Sequence, residues 1–240
     1  MGLYREQGIV LRTHKLGETD RIVTVLTQGR GKVRAVAKGV RKPGSRFGGR
    51  LEPLGHVDLQ LYEGRNLDIV NQAELITHFA RLREDWASSA CAWTMAEAVD
   101  RVAQEERATS LFLLLLDGLR MLAAAPTHPS LVLDAYLLRL ASLAGYHAHL
   151  DACAGCGTPG HHAVFHLEAG GALCPACAPS DTRPLSDGVL KVLHALAASD
   201  WGEDATDAEP SDRRLAGTLV SSYLTHHLGR PLTSWELVPR

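Results

Sequence analysis

The apolar pattern of this chain changes period near residue 78, and that switch demands strands first and helices after. Ahead of it, five short runs bounded by turn residues read as strands: 8–12, 21–27, 32–38, 57–62 and 67–70. Gln28-Gly29-Arg30-Gly31 forms a compact hairpin connection, and Pro43 to Gly49, with three glycines, is predicted to be a mobile loop. Five strands with a glycine-rich basic loop inside the array suit a small OB-type β-barrel; an SH3-like barrel gives much the same pattern.

Beyond the switch, Ala87, Ala90, Thr94, Ala98 and Val102 form one stripe over 86–103. Residues 110–125 are apolar nearly all round, and 131–144 follow Pro129 and Ser130 and stop at Gly145. An all-round apolar helix must be buried, so the segment from Leu111 to Leu122 is expected near the centre of a bundle. Ser186 is placed to cap a helix running to Ala198, and Ser211 or Asp212 one running to His227, closed by Gly229. The expected fold class is therefore a multidomain α+β chain. Its parts are an OB-fold at 1–80, a helical domain at 81–149, a cysteine-bearing insert at 150–180, and C-terminal helices at 181–240 that pack on the helical domain.

That insert holds Cys153-x2-Cys156 and Cys174-x2-Cys177, seventeen residues apart. Two tight turns, each presenting two sulfurs, are the spacing of a four-thiolate zinc site, with Gly155 and Gly157 flanking the first turn. Four thiolates leave no open position for a catalytic water, so one structural Zn(2+) is expected. His161, His162 and His166 lie between the turns and could replace one sulfur or form a second metal site, but they have no carboxylate at matching spacing and the sulfur set is complete, so they read as surface histidines. Cys91, on a helix, reads as a small buried hydrophobe.

Charge is segregated: residues 1–50 hold twelve Lys and Arg against three acids, although the whole chain carries a net charge of -2. Such asymmetry points to a polyanionic partner for the first module. Lys32, Arg34 and Lys38 line one face of a strand whose other face is Val33, Ala35 and Ala37. With Arg30 in the hairpin and Arg41, Lys42, Arg46 and Arg50 on the following loop, they are the candidate DNA contacts. The only aromatic residues in 1–80 are Tyr4, Phe47, Tyr62 and Phe79, so base stacking is sparse and contacts go mainly to phosphate. Little sequence preference, binding to single and double strands, and steep salt dependence follow.

No P-loop, Gly-x-Ser-x-Gly or His-Glu-x-x-His pattern occurs, and Glu18 and Asp20 read as solvated rather than as a catalytic pair, so a non-enzyme is expected. The longest apolar run, Leu111 to Leu116, is six residues, too short for a bilayer, and the N-terminus has no leader-like stretch; a cytoplasmic chain is expected.

Gly8-Ile9-Val10-Leu11, the run from Gly17 to Thr27, Gly31-Lys32, Ala37-Lys38-Gly39-Val40-Arg41-Lys42 and Leu51-Glu52-Pro53-Leu54 together resemble the opening of the bacterial RecO recombination mediators. The order barrel, helices, cysteine ribbon, helices fits as well. The resemblance implies a DNA-repair mediator, associated with the nucleoid, that binds single- and double-stranded DNA and anneals complementary strands. It also implies contact with single-strand-binding protein (SSB) and action with RecR in loading RecA, without turnover chemistry. Two rivals are an RNA-binding barrel with a zinc ribbon, and a zinc-dependent hydrolase using the cluster from His161 to His166.

Overall fold

The computed structural model describes residues 2–106, 108–198 and 201–240. Five strands, β1 (Leu3–Leu16), β2 (Asp20–Thr27), β3 (Gly31–Ala37), β4 (His56–Tyr62) and β5 (Asp68–Thr77), close a barrel in the order β1-β2-β3-β5-β4. All ladders are antiparallel except the short β3–β5 contact, which pairs Ala35 with Asp68 and Val36 with Ile69 in parallel. Closure leaves no free sheet edge in the barrel.

β1 is longer than its apolar run because it feeds two ladders. Leu3 to Ile9 pair with β4, and Gly8 to Leu16 pair with β2. Polar residues at its ends are thus strand residues by pairing rather than by hydrophobicity. Likewise β5 runs on to Thr77, because β4 pairs with it as far as His56.

The barrel interior is filled by Val10, Val23, Val25, Ala35, Ala37, Val57, Leu59, Leu61 and Val70, plugged by Phe47 and Leu51. The loop predicted to be mobile is therefore anchored. Lys42, Ser45, Gly48 and Arg50 each donate a backbone bond three residues back, and the last turn, Gly48–Leu51, is a 3-10 helix. Burying an aromatic ring at 1 % exposure, worth about 2 kcal/mol, outweighs the freedom its glycines confer.

The helices are α1 (Trp86–Val102), α2 (Thr109–Ala123), α3 (Pro129–Leu143), α4 (Asp187–Ala197) and α5 (Pro210–Leu228). Asp85 caps α1 by accepting from Ser88 N at 2.7 Å, and Ser186 caps α4 by accepting from Val189 N. α5 begins at Pro210 with Glu209 at the N-cap, two and three residues ahead of the candidate caps, because Pro210 at N1 already has the helical φ and its missing N–H is one that no helix bond would use. Asp212 instead accepts from the Ser186 hydroxyl at 3.1 Å, tying α5 to the α4 cap.

α3, rather than α2, is the bundle's centre, since it packs against α1, α2, α4 and α5. α2 buries Phe112, Leu115, Leu116, Leu119 and Leu122 but exposes Leu113 at 44 %. Its all-round apolar sequence overstated its burial. Inside the bundle Asp134 of α3 is fully buried, and Arg240 clamps it with two bonds of 2.8 and 2.7 Å.

Barrel and bundle share one apolar core. Ile9, Leu11 and Leu26, on the outer barrel face, join the cluster formed by α1 to α5. Gly31 sets the docking distance: at φ +66 a Cβ would lie 1.9 Å from Glu106 O, and Lys32 N donates to Gln104 O at 2.8 Å.

Glu97 of α1 closes the C-terminal segment. It accepts from Thr233 N at 3.0 Å, Thr233 Oγ1 at 2.8 Å and Ser234 N at 2.8 Å. Burial pushes its carboxyl up, but the bonds from Ser234 and Thr233 prevail and hold it down to about 2. A carboxylate depressed from 4.5 stabilises fully above 4.5 and loses that contribution as pH falls towards 2. Glu97→Gln is expected to cost about 1–2 kcal/mol near neutrality. Urea unfolding of both proteins should show the difference vanish at the acid end of that window.

Candidate nucleic-acid face and metal centre

The eight cations singled out from sequence occupy different environments. Arg30 stacks its guanidinium 3.9 Å from the Tyr4 ring centroid and lies 3.7 Å from Glu63 Oε1. Lys32 turns towards the helices: its Nζ donates to Asp100 O at 2.6 Å and is 3.4 Å from Asp100 Oδ1, while Arg12 Nε meets Asp100 Oδ2 at 2.7 Å. Lys32 is thus engaged at the junction between barrel and α1, which alternation along β3 did not reveal.

Arg34 and Lys38 are exposed on the outer face and end of β3, and among the described residues their side chains make no hydrogen bond or ion pair. Lys42 is equally exposed. Arg41 spans back to the β1–β2 turn, donating to Glu18 O at 2.9 Å and Gly17 O at 3.3 Å. Asp20 fixes the same corner by accepting from Gly39 N at 2.7 Å and from Thr19 Oγ1. The Gly39 bond, then the Thr19 bond, holds its carboxyl below the usual range. This corner is a clamp on the basic loop, and Glu18 contributes its backbone there rather than a catalytic carboxylate.

Arg46 and Arg50 flank a groove of about 580 Å³ whose far wall is Asn71, Gln72, Glu74 and Leu75 of β5. Arg46 lies over the Phe47 ring, and Arg50 donates to Arg46 O. The aromatics on this module offer little stacking surface. Phe47 and Phe79 are buried, Tyr4 is bonded to Asp68, and Tyr62 is 45 % exposed. Exposed among the eight cations are Arg30, Arg34, Lys38, Arg41, Lys42, Arg46 and Arg50, of which Lys38, Arg41 and Lys42 gather at the corner fixed by Asp20 and Glu18.

The second candidate site is the cysteine segment. Between its two turns, β6 (Val164–His166) and β7 (Gly171–Leu173) form a hairpin. Sγ atoms of Cys153, Cys156, Cys174 and Cys177 all lie within 4.8 Å of one another, and Cys156 to Cys174 is 3.7 Å. Zinc–sulfur bonds of about 2.3 Å give a tetrahedron with edges of roughly 3.8 Å, so the donor set fits a four-thiolate ion. Cys174 N donates to Cys153 Sγ at 3.3 Å, and Gly157 N closes the first turn onto Cys153 O at 2.8 Å.

The electrostatics agree with that fit. Backbone N–H groups, that of Cys174 foremost, draw the Cys153 thiol down to about 6, while the sulfurs of Cys156, Cys174 and Cys153 push Cys177 up to about 12. Thiols this close cannot all ionise unless a cation sits among them. Cys91 is fully buried in the helical core, and burial raises its thiol to about 12.

His161, His162 and His166 do not converge on one another. His162 Nε2 lies 3.0 Å from Thr158 O, and His166 Nδ1 accepts from Ala169 N in the β6–β7 turn. His161 instead meets His194 of α4, and Asp151 lies beside them. That grouping was missed in the sequence because His194 is thirty-three residues away, on another element.

Among the described residues no helix is long and apolar enough to cross a membrane. Residues 1–79 match the family described as "Recombination protein O N terminal", and residues 83–236 match "Recombination protein O C terminal". A protein of Nocardioides sp., "DNA repair protein RecO", is 49 % identical over 245 aligned positions covering 99 % of this chain and all of that one. Another of the same description from Frankia casuarinae is 46 % identical over 243 positions covering both chains in full. A barrel closed in OB order, a helical bundle, a four-cysteine segment and end-to-end similarity of this kind place the chain in the RecO family.

Proposed function

We propose that this protein is a non-catalytic mediator of DNA repair and recombination in the cytoplasm. It holds DNA on the cationic corner of its barrel and brings complementary strands together. The observation that carries this reading is the set of exposed cations Arg34, Lys38, Arg41, Lys42, Arg46 and Arg50 on a member of a recombination family; among the described residues the side chains of Arg34, Lys38 and Lys42 make no hydrogen bond or ion pair. Each phosphate they neutralise releases counterions, and screening two backbones at one surface lowers the barrier to pairing, which the bases then complete. Arg30 and Lys32 belong to the same candidate set but are partly spent on Tyr4, Glu63 and Asp100, so their share in DNA contact is smaller. In the same reading the four thiolates hold one structural zinc ion, and RecR, SSB and, through them, RecA are the partners that the family resemblance supplies.

The test is fluorescence-monitored annealing of complementary oligonucleotides at several salt concentrations, with an RNA pair in parallel. Rapid annealing without nucleotide, falling steeply with salt, is the expected result. The double substitution Arg34→Glu and Lys38→Glu should weaken single- and double-stranded DNA alike, by roughly ten- to a hundredfold at low salt, and flatten the salt slope. Unchanged binding would remove β3 from the site, and a preference for RNA would favour the RNA-binding rival.

A further inference from the structure

Three side chains distant in sequence meet where the cysteine segment leans on α4. Asp151 precedes the first cysteine turn, His161 lies between the two turns, and His194 projects from α4. His161 Nδ1 is 2.9 Å from His194 Nε2, with the rings edge to face at 4.3 Å, and His194 Nδ1 is 3.4 Å from Asp151 Oδ1. One donor atom from each residue lies within 4.8 Å of those of the other two. Among the described residues, only the four cysteines form another such group.

We infer that Asp151, His161 and His194 bind a second divalent transition-metal ion, distinct from the four-thiolate centre, which fastens the cysteine segment to α4. Two imidazoles and a carboxylate are a nitrogen–oxygen set suited to zinc, cobalt or nickel rather than to magnesium or calcium, which prefer oxygen alone. Bonds of about 2.0–2.2 Å set donor-to-donor edges near 3.4 Å. One ion takes one nitrogen of His194, whose Nε2 faces His161 and whose Nδ1 faces Asp151, so the imidazole pair opens by about half an ångström and the carboxylate swings round to the Nε2 side. The side chains are placed to do so: Asp151 is 88 % exposed, and His161 is also on the surface. Three protein donors leave a position for water, so this ion binds more weakly than the thiolate-held one and exchanges. Because its ligands come from both sides of the contact, its loading restrains the cysteine segment against the bundle.

The experiment uses the full chain carrying its first, tightly held zinc. After dialysis against excess zinc or cobalt chloride, metal content should reach two ions per chain, and a mild chelator should remove only the second. With zinc held at the first site, cobalt taken up at the second should add no sulfur-to-metal charge-transfer absorption, which cobalt among the thiolates would give. His161→Ala and His194→Ala should each weaken the second equivalent roughly tenfold or more, and Asp151→Asn by a smaller factor, while the first ion stays bound and reports an intact fold. His226→Ala, at a histidine pair without a third donor, should change nothing. Saturation at one ion, or a second ion that survives the His161→Ala and His194→Ala double variant, would overturn the assignment.

Discussion

Replacing Cys153 by Ser is expected to strip the chain of its four-thiolate ion and to unfold residues 150–180 while the barrel and bundle stay folded. Among the described residues the segment's own buried cluster is Cys153, Val164, Leu173 and Cys174, two of which belong to the proposed ligand set. So small a cluster does not offset the entropy of ordering about thirty residues, whereas structural zinc contributes on the order of 10 kcal/mol in small metal-held domains. Metal content should fall well below one ion per chain, and trypsin should cut within the segment, while Cys91→Ser, buried among the helices, leaves metal content unchanged. Full metal occupancy with an intact, protease-resistant segment would show that Cys153 is not a ligand. Chelation of the wild-type protein should reproduce the variant's cleavage pattern, which separates loss of metal from loss of one side chain.

Arg240→Ala has the other large effect. It leaves Asp134 in the middle of α3 with no exposure and without the two bonds that neutralise it, an arrangement expected to cost about 3–5 kcal/mol. Burial pushes the Asp134 carboxyl up even against the pull of Arg240, and without the guanidinium it rises further. A carboxyl whose folded pKa lies above its unfolded value binds its proton in the native state, so the penalty is absent at pH below 3.8 and grows as pH rises through the folded value. Urea midpoints of the variant should therefore lie closest to wild type in acid and furthest above neutrality. Adding Asp134→Asn to Arg240→Ala should recover part of the loss and abolish that pH trend. Equal midpoints for wild type and Arg240→Ala across the range would mean that solvent reaches Asp134 in its place. Gly217 belongs to the same device, because a Cβ there would lie 1.7 Å from Arg240 Nη1.

Features governed by local sequence were legible in advance. The five strands, the Ser186 cap, the Gly229 stop and the paired cysteine turns each depend on residues within a few positions of one another. Turn residues, side-chain alternation and ligand spacing encode them directly. Family membership was legible for a related reason, since the order of glycines and apolar pairs in the first fifty residues reflects the register of one particular barrel.

Contacts made by partners far along the chain were decided only by the tertiary structure. Period-two alternation placed Lys32 with Arg34, but the docking of α1 against the barrel commits Lys32 to Asp100 and leaves Arg34 in solvent. Composition made the stretch from Pro43 to Gly49 look mobile, but the barrel's open end, which Phe47 fills, made it rigid. The apolar count favoured α2 as the central helix, whereas connectivity puts α3 among four neighbours and buries Asp134 there. The imidazole that meets His161 lay out of sequence reach until the fold brought His194 of α4 beside it, with Asp151 against the same ring. Spacing along the chain fixes which donors share a turn; the burial, pairing and charge balance of any one side chain depend on which distant element lands on it, and that is a property of the packed whole.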